Sequence, residues 1–378
     1  MKIRAALLKE MGLAPPYVSS QPLTIVELEL GDPGPGEVLV AIRAAGLCHS
    51  DLSVIDGVRP RGMPLVLGHE AVGVVEKLGA GVTDLQVGDH VVTVFVPICG
   101  HCQPCTHGRP QLCEPGFKAN VAGTLLSGAR RFVSPPINGQ PINHHLGVSA
   151  FADHAVVARE SCVRIDPKLP FDIAAVFGCA VITGVGAVVN TAQVKAGDSV
   201  AIVGLGGVGL AALLGAKRAG ASPLIAIDLS DVKLAIAKEF GATHTFNASQ
   251  PDCAEQLRAL LPGGVTHALE MAGSAKALEL AWKITARGGS TVTAGLPHPD
   301  ARLSISPAQL VVEERVLKGS YVGGCVPSRD IPLYIEWYLR GELPVDKLLS
   351  ERIRLDDINA GFDRLAKGQT IRQVVVFD

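Results

Sequence analysis

The stretch SVAIVGLGGVGLAALLGAKRAGASPLIAID, residues 199–228, limits the fold more than any other part of the chain. An apolar run ends in a glycine turn, a helix-like segment follows, and a second apolar run ends at Asp228. Strand, turn, helix and strand in that order make a right-handed βαβ unit. LSDVKLAIAKEFGATHTFN, HALEMAG and STVTAGL continue the alternation. They imply an α/β fold with buried parallel strands, and a composition rich in Ala, Val, Leu and Gly and poor in aromatics suits it.

The turn itself reads Gly204-x-Gly206-x-x-Gly209, with Gly207 inside it. Gly204 allows the tight turn, Gly206 lets backbone approach a pyrophosphate, and Gly209 lets the helix pack on the strand. The helix N-terminus then offers unpaired N–H groups to phosphate. Asp228 lies at the distance where a carboxylate takes hydrogen bonds from a ribose. It would repel a 2′-phosphate, so the motif favours NAD over NADP. As a bare carboxylate, Asp228 also suits a helix N-cap.

Before this region the chain has another character. EVLVAIRAAG, AVGVVEKLGAGV and VGDHVVTVFV read as short strands at hairpin spacing. Residues 101–150 read as loop, and FADHAVVA as a further strand. DIAAVFGCAVITGVGAVVNTA has helical composition, and the tail ends in the strand-like IRQVVVF. With 378 residues the chain has room for two domains of about 100–200 residues each. There is no internal repeat. A net charge of −2 gives no footprint for nucleic acid or an acidic membrane surface. The N-terminus lacks the h-region of a signal peptide. The two most apolar stretches are glycine-laden and shorter than the roughly 20 residues a membrane span needs. The expectation is a cytoplasmic protein with neither membrane nor nucleic-acid partners.

Nine cysteines, an odd number, and a reducing compartment disfavour disulfides. Four of them fall in CGHCQPCTHGRPQLC as Cys99-x2-Cys102-x2-Cys105-x7-Cys113. Bacterial ferredoxins share the first two gaps but close with x3 and proline. Four thiolates on one loop match a closed tetrahedral zinc site, which leaves no open position and is therefore structural. His101 and His107 in the same loop are expected in solvent. Cys48, His69 and Cys179 are too far apart to form a local motif. Each reads equally as an ordinary buried thiol or turn histidine.

GHEAVGVVEKLGAGV (residues 68–82), the four-cysteine loop, the GLGGVG turn and CHSD stand in the order and spacing of one family. Here the chain resembles the zinc-dependent medium-chain alcohol dehydrogenases. The likeness runs over essentially the whole chain. RRFVSPPINGQPINHHLGVSAF, residues 130–151, is similar to the long loop of the liver-type branch. The resemblance implies a GroES-like catalytic domain from residues 1–180 and 320–378, and a Rossmann domain from 181–319. It implies two zincs per chain, the catalytic one held by Cys48, His69 and Cys179, and NAD as cofactor.

By the same resemblance Glu70 lies near the metal, Asp51 orients His69, and Ser50 accepts the alcohol proton. Hydride passes reversibly between the alcohol carbon and the nicotinamide. His49, Thr183, Lys233 and Arg372 carry over to the cofactor, Arg372 facing the pyrophosphate. His49 stands where many members carry Arg, and Ser53 where the liver-type enzymes place the histidine that ends the proton relay. Arg59, Phe95, His145, Leu146, Leu296 and Tyr321 fall at pocket positions. Phe95, Leu146 and Leu296 suit a primary alcohol with an aryl or medium alkyl group, whereas Arg59 and His145 suit a polar end. The liver-like loop favours a homodimer by analogy. Two other functions fit the scaffold: a glutathione-dependent formaldehyde dehydrogenase, and a dinucleotide-binding protein without catalysis. Cys162, Cys253 and Cys325 read as buried or free thiols.

Overall fold

The computed structural model describes residues 1–133 and 141–377; within the long-loop stretch, 134–140 lie outside the described residues. The chain forms two compact units. The first is Met1–Cys179, Val326–Pro332 and Leu349–Asp378; the second is Ala180–Cys325 and Leu333–Leu348.

The first unit is β-rich. Its strands are β1 (Lys2–Leu8), β2 (Leu23–Glu29), β3 (Glu37–Gly46), β4 (Leu65–Val66), β5 (Ala71–Leu78), β6 (His90–Thr93), β7 (Asn143–His144), β8 (His154–Ala158) and β9 (Cys162–Ile165). β2-β1-β4-β7 make one sheet. β3 anchors the other, pairing antiparallel with both β5 and β8. Its sequence EVLVAIRAAG is buried on both faces: Val38, Val40 and Ile42 enter one apolar cluster and Leu39 another. Each such side chain stabilises the fold by about 1.5–3 kcal/mol.

The second unit carries β10 (Val200–Val203), β11 (Leu224–Asp228), β12 (His244–Asn247), β13 (Val265–Glu270), β14 (Thr285–Thr293) and β15 (Val316–Gly319). Their order is β12-β11-β10-β13-β14-β15, and every neighbouring pair is parallel. The chain builds outward from β10 on one side, then returns to build from β13 on the other. The strand order therefore reverses between β10 and β13. In open parallel sheets that reversal leaves a ligand crevice at the carboxyl ends of the strands. The tail returns to the first unit as β16 (Leu349–Ile353) and β17 (Arg372–Val376), and β17 pairs with β3.

Three sequence expectations differ from the structure. Residues 320–325 and 333–348 pack with the second unit instead of the first. The Arg218 guanidinium lies 3.5 Å over the Trp337 ring and pairs with Glu342 at 2.9 Å, contacts that no periodicity reveals. A helix, Glu114–Ala122, stands inside the stretch read as loop; Pro115 in its first turn and left-handed Gly123 at its end set its limits. The helical stretch from Phe171 is broken, with Cys179 at φ −140°, ψ −67° between Val176–Gly178 and Ala180–Gly186. Among the described residues, no single helix is long and apolar enough to cross a membrane.

His144 shows how burial fixes a protonation state. Its Nε2 accepts the Arg131 N–H at 3.0 Å and its ring stacks on Phe132 at 4.6 Å. Burial pushes its pKa down to about 3, with the Glu37 charge opposing. The unfolded chain takes up this proton near the ordinary value of 6.5. Between pH 6.5 and 3 the unfolded state therefore holds one more proton, and stability rises with pH across that window. Acidifying from pH 6.5 to 4.5 should cost about 2–3 kcal/mol through this residue alone. In urea unfolding followed over that range, His144→Phe should show the shallower pH slope; equal slopes would refute the assignment.

Candidate active site and metal centres

Strand register brings distant residues to one point in the first unit. β3 pairs with β5 as Ala45↔Ala71, β5 with β6 as Ala71↔Thr93, and β17 with β3 as Val374↔Gly46. The end of β3, the start of β5, the end of β6 and the start of β17 therefore share one edge. Cys48 follows β3 and precedes the helix His49–Ile55; His69 and Glu70 precede β5. A Cβ on Gly178 would lie within van der Waals radius of Thr93 O, so Cys179 sits close against the end of β6. The ligating atoms of Cys48, His69, Glu70 and Cys179 lie within 4.8 Å of one another, and all four residues are buried.

The charges of this cluster are ordered by their neighbours. His69 Nδ1 lies 3.1 Å from both oxygens of Asp51, whose Oδ1 also accepts the Gly68 N–H at 3.1 Å. This commits the Nδ1 proton to Asp51 and leaves Nε2 as the ligating nitrogen. Burial works against the His69 cation, but Asp51 and Cys48 raise its pKa well above the ordinary value. Cys179 donates to the Cys48 thiol and, with His69, lowers it well below the usual range. Burial lifts the Glu70 carboxyl to about 7 against the pull of Arg372. Arg372 Nη1 stands 3.2 Å from Glu70 Oε2 and donates to Leu47 O at 2.9 Å.

The residues fit a zinc ion. Both Glu70 oxygens and Asp51 Oδ2 are buried and accept no hydrogen bond; Arg372 at 3.2 Å and His69 at 3.1 Å answer part of that charge, and a cation among the ligands would answer the rest. Two thiols and an imidazole with its other nitrogen on a carboxylate make the donor set of a catalytic zinc with an open position.

The four-cysteine loop is a second fit. Its sulfurs lie within 4.8 Å of one another. Cys102 and Cys105 are 3.4 Å apart, far beyond a disulfide and near the ~3.8 Å edge of a zinc–thiolate tetrahedron. Backbone N–H groups feed the sulfurs: Cys99 N and Gly116 N donate to Cys113 Sγ, and Cys102 N to Cys99 Sγ. Burial and the neighbouring Cys102 lift Cys105 to about 12. Against its own burial, Cys102 is drawn down to about 6 by the N–H groups of Cys105 and Glu114. Four thiols so close cannot all ionise without a cation among them. His101 and His107 are exposed, and all nine cysteines are free.

In the second unit the glycine turn has the shape its spacing implies. Gly204 sits at φ +95°, and a Cβ on Gly209 would collide with Gly204 O. A Cβ on Gly206 would meet nothing within 4 Å, so that face is open to a ligand. Gly207 begins the helix Gly207–Arg218. Asp228 ends β11 and accepts the Leu205 and Ser230 N–H groups at 2.7 and 3.0 Å. It thus touches the glycine turn and does not cap the helix Asp231–Phe240, which has no side-chain cap.

The remaining candidates divide. Ser50 is half-buried, one turn from Cys48; Ser53 Oγ donates to the Ser50 carbonyl at 2.9 Å. Phe95 stands edge-on to His69 at 5.3 Å, and the buried His145 places Nε2 3.3 Å from Asp51 Oδ1. Thr183 is buried, Lys233, Arg59 and Leu146 half-buried, and His49, Leu296 and Tyr321 exposed. The Arg372 guanidinium, only 4% exposed, lies beside the buried Glu70 carboxylate, a pairing that sequence reasoning did not anticipate. Sequence reasoning also missed His145 as a partner of Asp51. The one signal was a polar residue at a position expected to be apolar.

Residues 34–167 match the alcohol dehydrogenase GroES-like domain, and residues 207–340 match the zinc-binding dehydrogenase domain. The chain is 36% identical over 388 residues to the S-(hydroxymethyl)glutathione dehydrogenase of Paracoccus denitrificans, covering all of both chains. It superposes on an alcohol dehydrogenase zinc-binding domain protein from Burkholderia ambifaria with a TM-score of 0.93, at 32% identity, over 100% of this chain and 99% of that one. For benzyl alcohol dehydrogenase from Acinetobacter calcoaceticus the TM-score is 0.92, at 31% identity, over 100% of both. A GroES-like unit carrying two zinc-ligand clusters, in one chain with a Rossmann unit, defines a zinc-dependent oxidoreductase that uses a nicotinamide dinucleotide. The chain belongs to the zinc-dependent medium-chain alcohol dehydrogenase family.

The two clusters should separate on mutation. Purified protein should hold two zincs per chain, and either Cys105→Ser or His69→Ala should hold one. Cys105→Ser should also lower Tm by roughly 5–10 °C, because the loop has little else to fix it. Metal analysis with a thermal scan checks both; one zinc in the unaltered protein would refute the second site.

Proposed function

We propose that this chain is an NAD-dependent alcohol dehydrogenase that oxidises primary alcohols bearing an aryl or medium alkyl group, reversibly, to aldehydes. The observation that carries this substrate class is the Phe95 ring, set edge-on against the ligand histidine. It puts an apolar wall directly beside the reacting centre. The benzyl alcohol dehydrogenase likeness supports the same choice.

In this reading Cys48, His69 and Cys179 hold the catalytic zinc, and Cys99, Cys102, Cys105 and Cys113 the structural one. Bound there, zinc would supply Lewis acidity to the substrate oxygen, and NAD would supply the hydride acceptor. Ser50, in the first turn after Cys48, takes the alcohol proton. Ser53 cannot relay it in this geometry, because its hydroxyl is spent on the Ser50 carbonyl. The proton leaves through water or the cofactor ribose. Asp51 fixes the His69 ring. Glu70 stands beside the ligands, where burial limits its charge and Arg372 supports it, and its carboxylate would offer the metal a transient further oxygen. Asp228 selects NAD, while Thr183, Lys233 and His49 lie along the cofactor. His49 holds pyrophosphate less firmly than Arg would, so His49→Arg should tighten NADH.

The reading places the enzyme in the cytoplasm, where cysteines outside disulfides persist as thiols and zinc ligands. It also makes a homodimer: β15 ends its sheet, and Val311, Val312 and Val316 are exposed beside it. Light scattering tests the dimer.

A second reading has a specific observation behind it: the Paracoccus relative is named for S-(hydroxymethyl)glutathione. NADH production should therefore be measured with benzyl alcohol, hexanol and ethanol, and with formaldehyde in the presence and absence of glutathione. Higher kcat/KM for benzyl alcohol or hexanol supports the proposal. Activity confined to formaldehyde with glutathione overturns it. Asp51→Asn should lower kcat about 10–100-fold by freeing the ligand histidine. An unchanged kcat would remove Asp51 from its role.

A further inference from the structure

Glu270 is a carboxylate that neither the motifs nor the reaction accounts for. It is the last residue of β13 and only 1% exposed. A buried charge needs several donors, and it has them. Oε1 accepts the backbone N–H groups of Ala272, Gly273 and Ser274 at 2.8, 2.6 and 3.4 Å. Oε2 accepts the Thr293 hydroxyl at 2.7 Å. One side chain thus curls the loop after β13 into a nest around itself and ties that loop to the last residue of β14.

Its position makes this more than local order. Glu270 pairs in register with Val203, the residue before Gly204, and with Thr293. It stands at the reversal of strand order, where the ligand crevice opens. The nest it gathers touches the glycine turn: a Cβ on Gly204 would come within 2.8 Å of Ala272 N and Cα, and Met271 packs 3.5 Å from the Cβ position of Gly209. On the other side a Cβ on Gly295 would fall 2.8 Å from Glu270 Oε1 and 2.6 Å from Gly273 Cα. The loops after β10, β13 and β14 are therefore set against one another around this carboxylate.

We propose that Glu270 is a positioning residue for the dinucleotide: it fixes the loops after β13 and β14 against the glycine turn and so sets the width of the cofactor crevice. The proposal rests on the reading that the Gly204–Gly209 turn binds the dinucleotide. A side chain that only stabilised the sheet would affect melting alone. One that shapes the crevice must also affect cofactor affinity.

NADH titration by fluorescence separates these roles, with Tm and zinc content measured on the same samples. In Glu270→Ala all four hydrogen bonds are lost, and the NADH Kd should rise by about tenfold or more, as expected for losing even one well-placed bond to a charged group. KM for NAD+ should rise more than kcat falls. In Glu270→Gln the amide oxygen still accepts the three N–H groups and the NH2 faces Thr293, so Kd should stay within about threefold of the unaltered protein. Thr293→Val cuts only the tie to β14 and should raise Kd about three- to fivefold with the nest intact. Wild-type NADH affinity in Glu270→Ala overturns the proposal. If Glu270→Ala does not fold, unchanged affinity in Thr293→Val overturns it. An unaltered protein that binds no NADH overturns the dinucleotide reading, and this proposal with it. Normal binding there, with unaffected variants, sinks the proposal alone.

Discussion

The antiparallel register around β3 is the constraint on which the ligand cluster depends. Ala45 faces Ala71, Ala71 faces Thr93, and Gly46 faces Val374. Because side chains alternate faces with a period of two, a slip of one residue in any pair would turn every side chain of that strand to the other face. The register is held by burial, since β3 is enclosed by apolar residues on both sides. Packing far from any chemistry therefore fixes where Cys48, His69 and Cys179 meet.

That meeting gathers charge in a buried place. Two thiols and two carboxylates face two imidazoles and one guanidinium, and Glu70, Asp51 and Arg372 are almost wholly enclosed. Neither Glu70 oxygen finds a hydrogen bond. An assembly like this is costly as bare protein and becomes reasonable around a dication. The fold supplies the geometry, and the metal is what allows so many acceptors to share it.

Local features were legible in the sequence. The glycine turn and the four-cysteine loop are each set within fifteen residues or fewer, so spacing alone carried their chemistry. Cys48, His69 and Cys179 came only through family resemblance, because strand pairing across more than a hundred residues unites them. The Arg372–Glu70 pair, His145 beside Asp51 and the nest around Glu270 were invisible for the same reason: each is a tertiary contact between segments without a motif. The helix Glu114–Ala122 was hidden differently. It is short and lies among Gly, Pro, His and Asn residues, with only Pro115 and Gly123 marking its ends.

The division of the tail between units bears on how such chains can evolve and be engineered. The backbone passes from one unit to the other after Cys179, Cys325, Pro332 and Leu348. Neither unit is a contiguous gene segment. A single crossover near residue 180 between two homologues would import Arg218, Trp337 and Glu342 together with a foreign 349–378, placing β17 from one parent against β3 from the other. Recombination that respects the architecture needs paired junctions, so cofactor and substrate preferences in this fold are inherited together unless exchange occurs at several points at once.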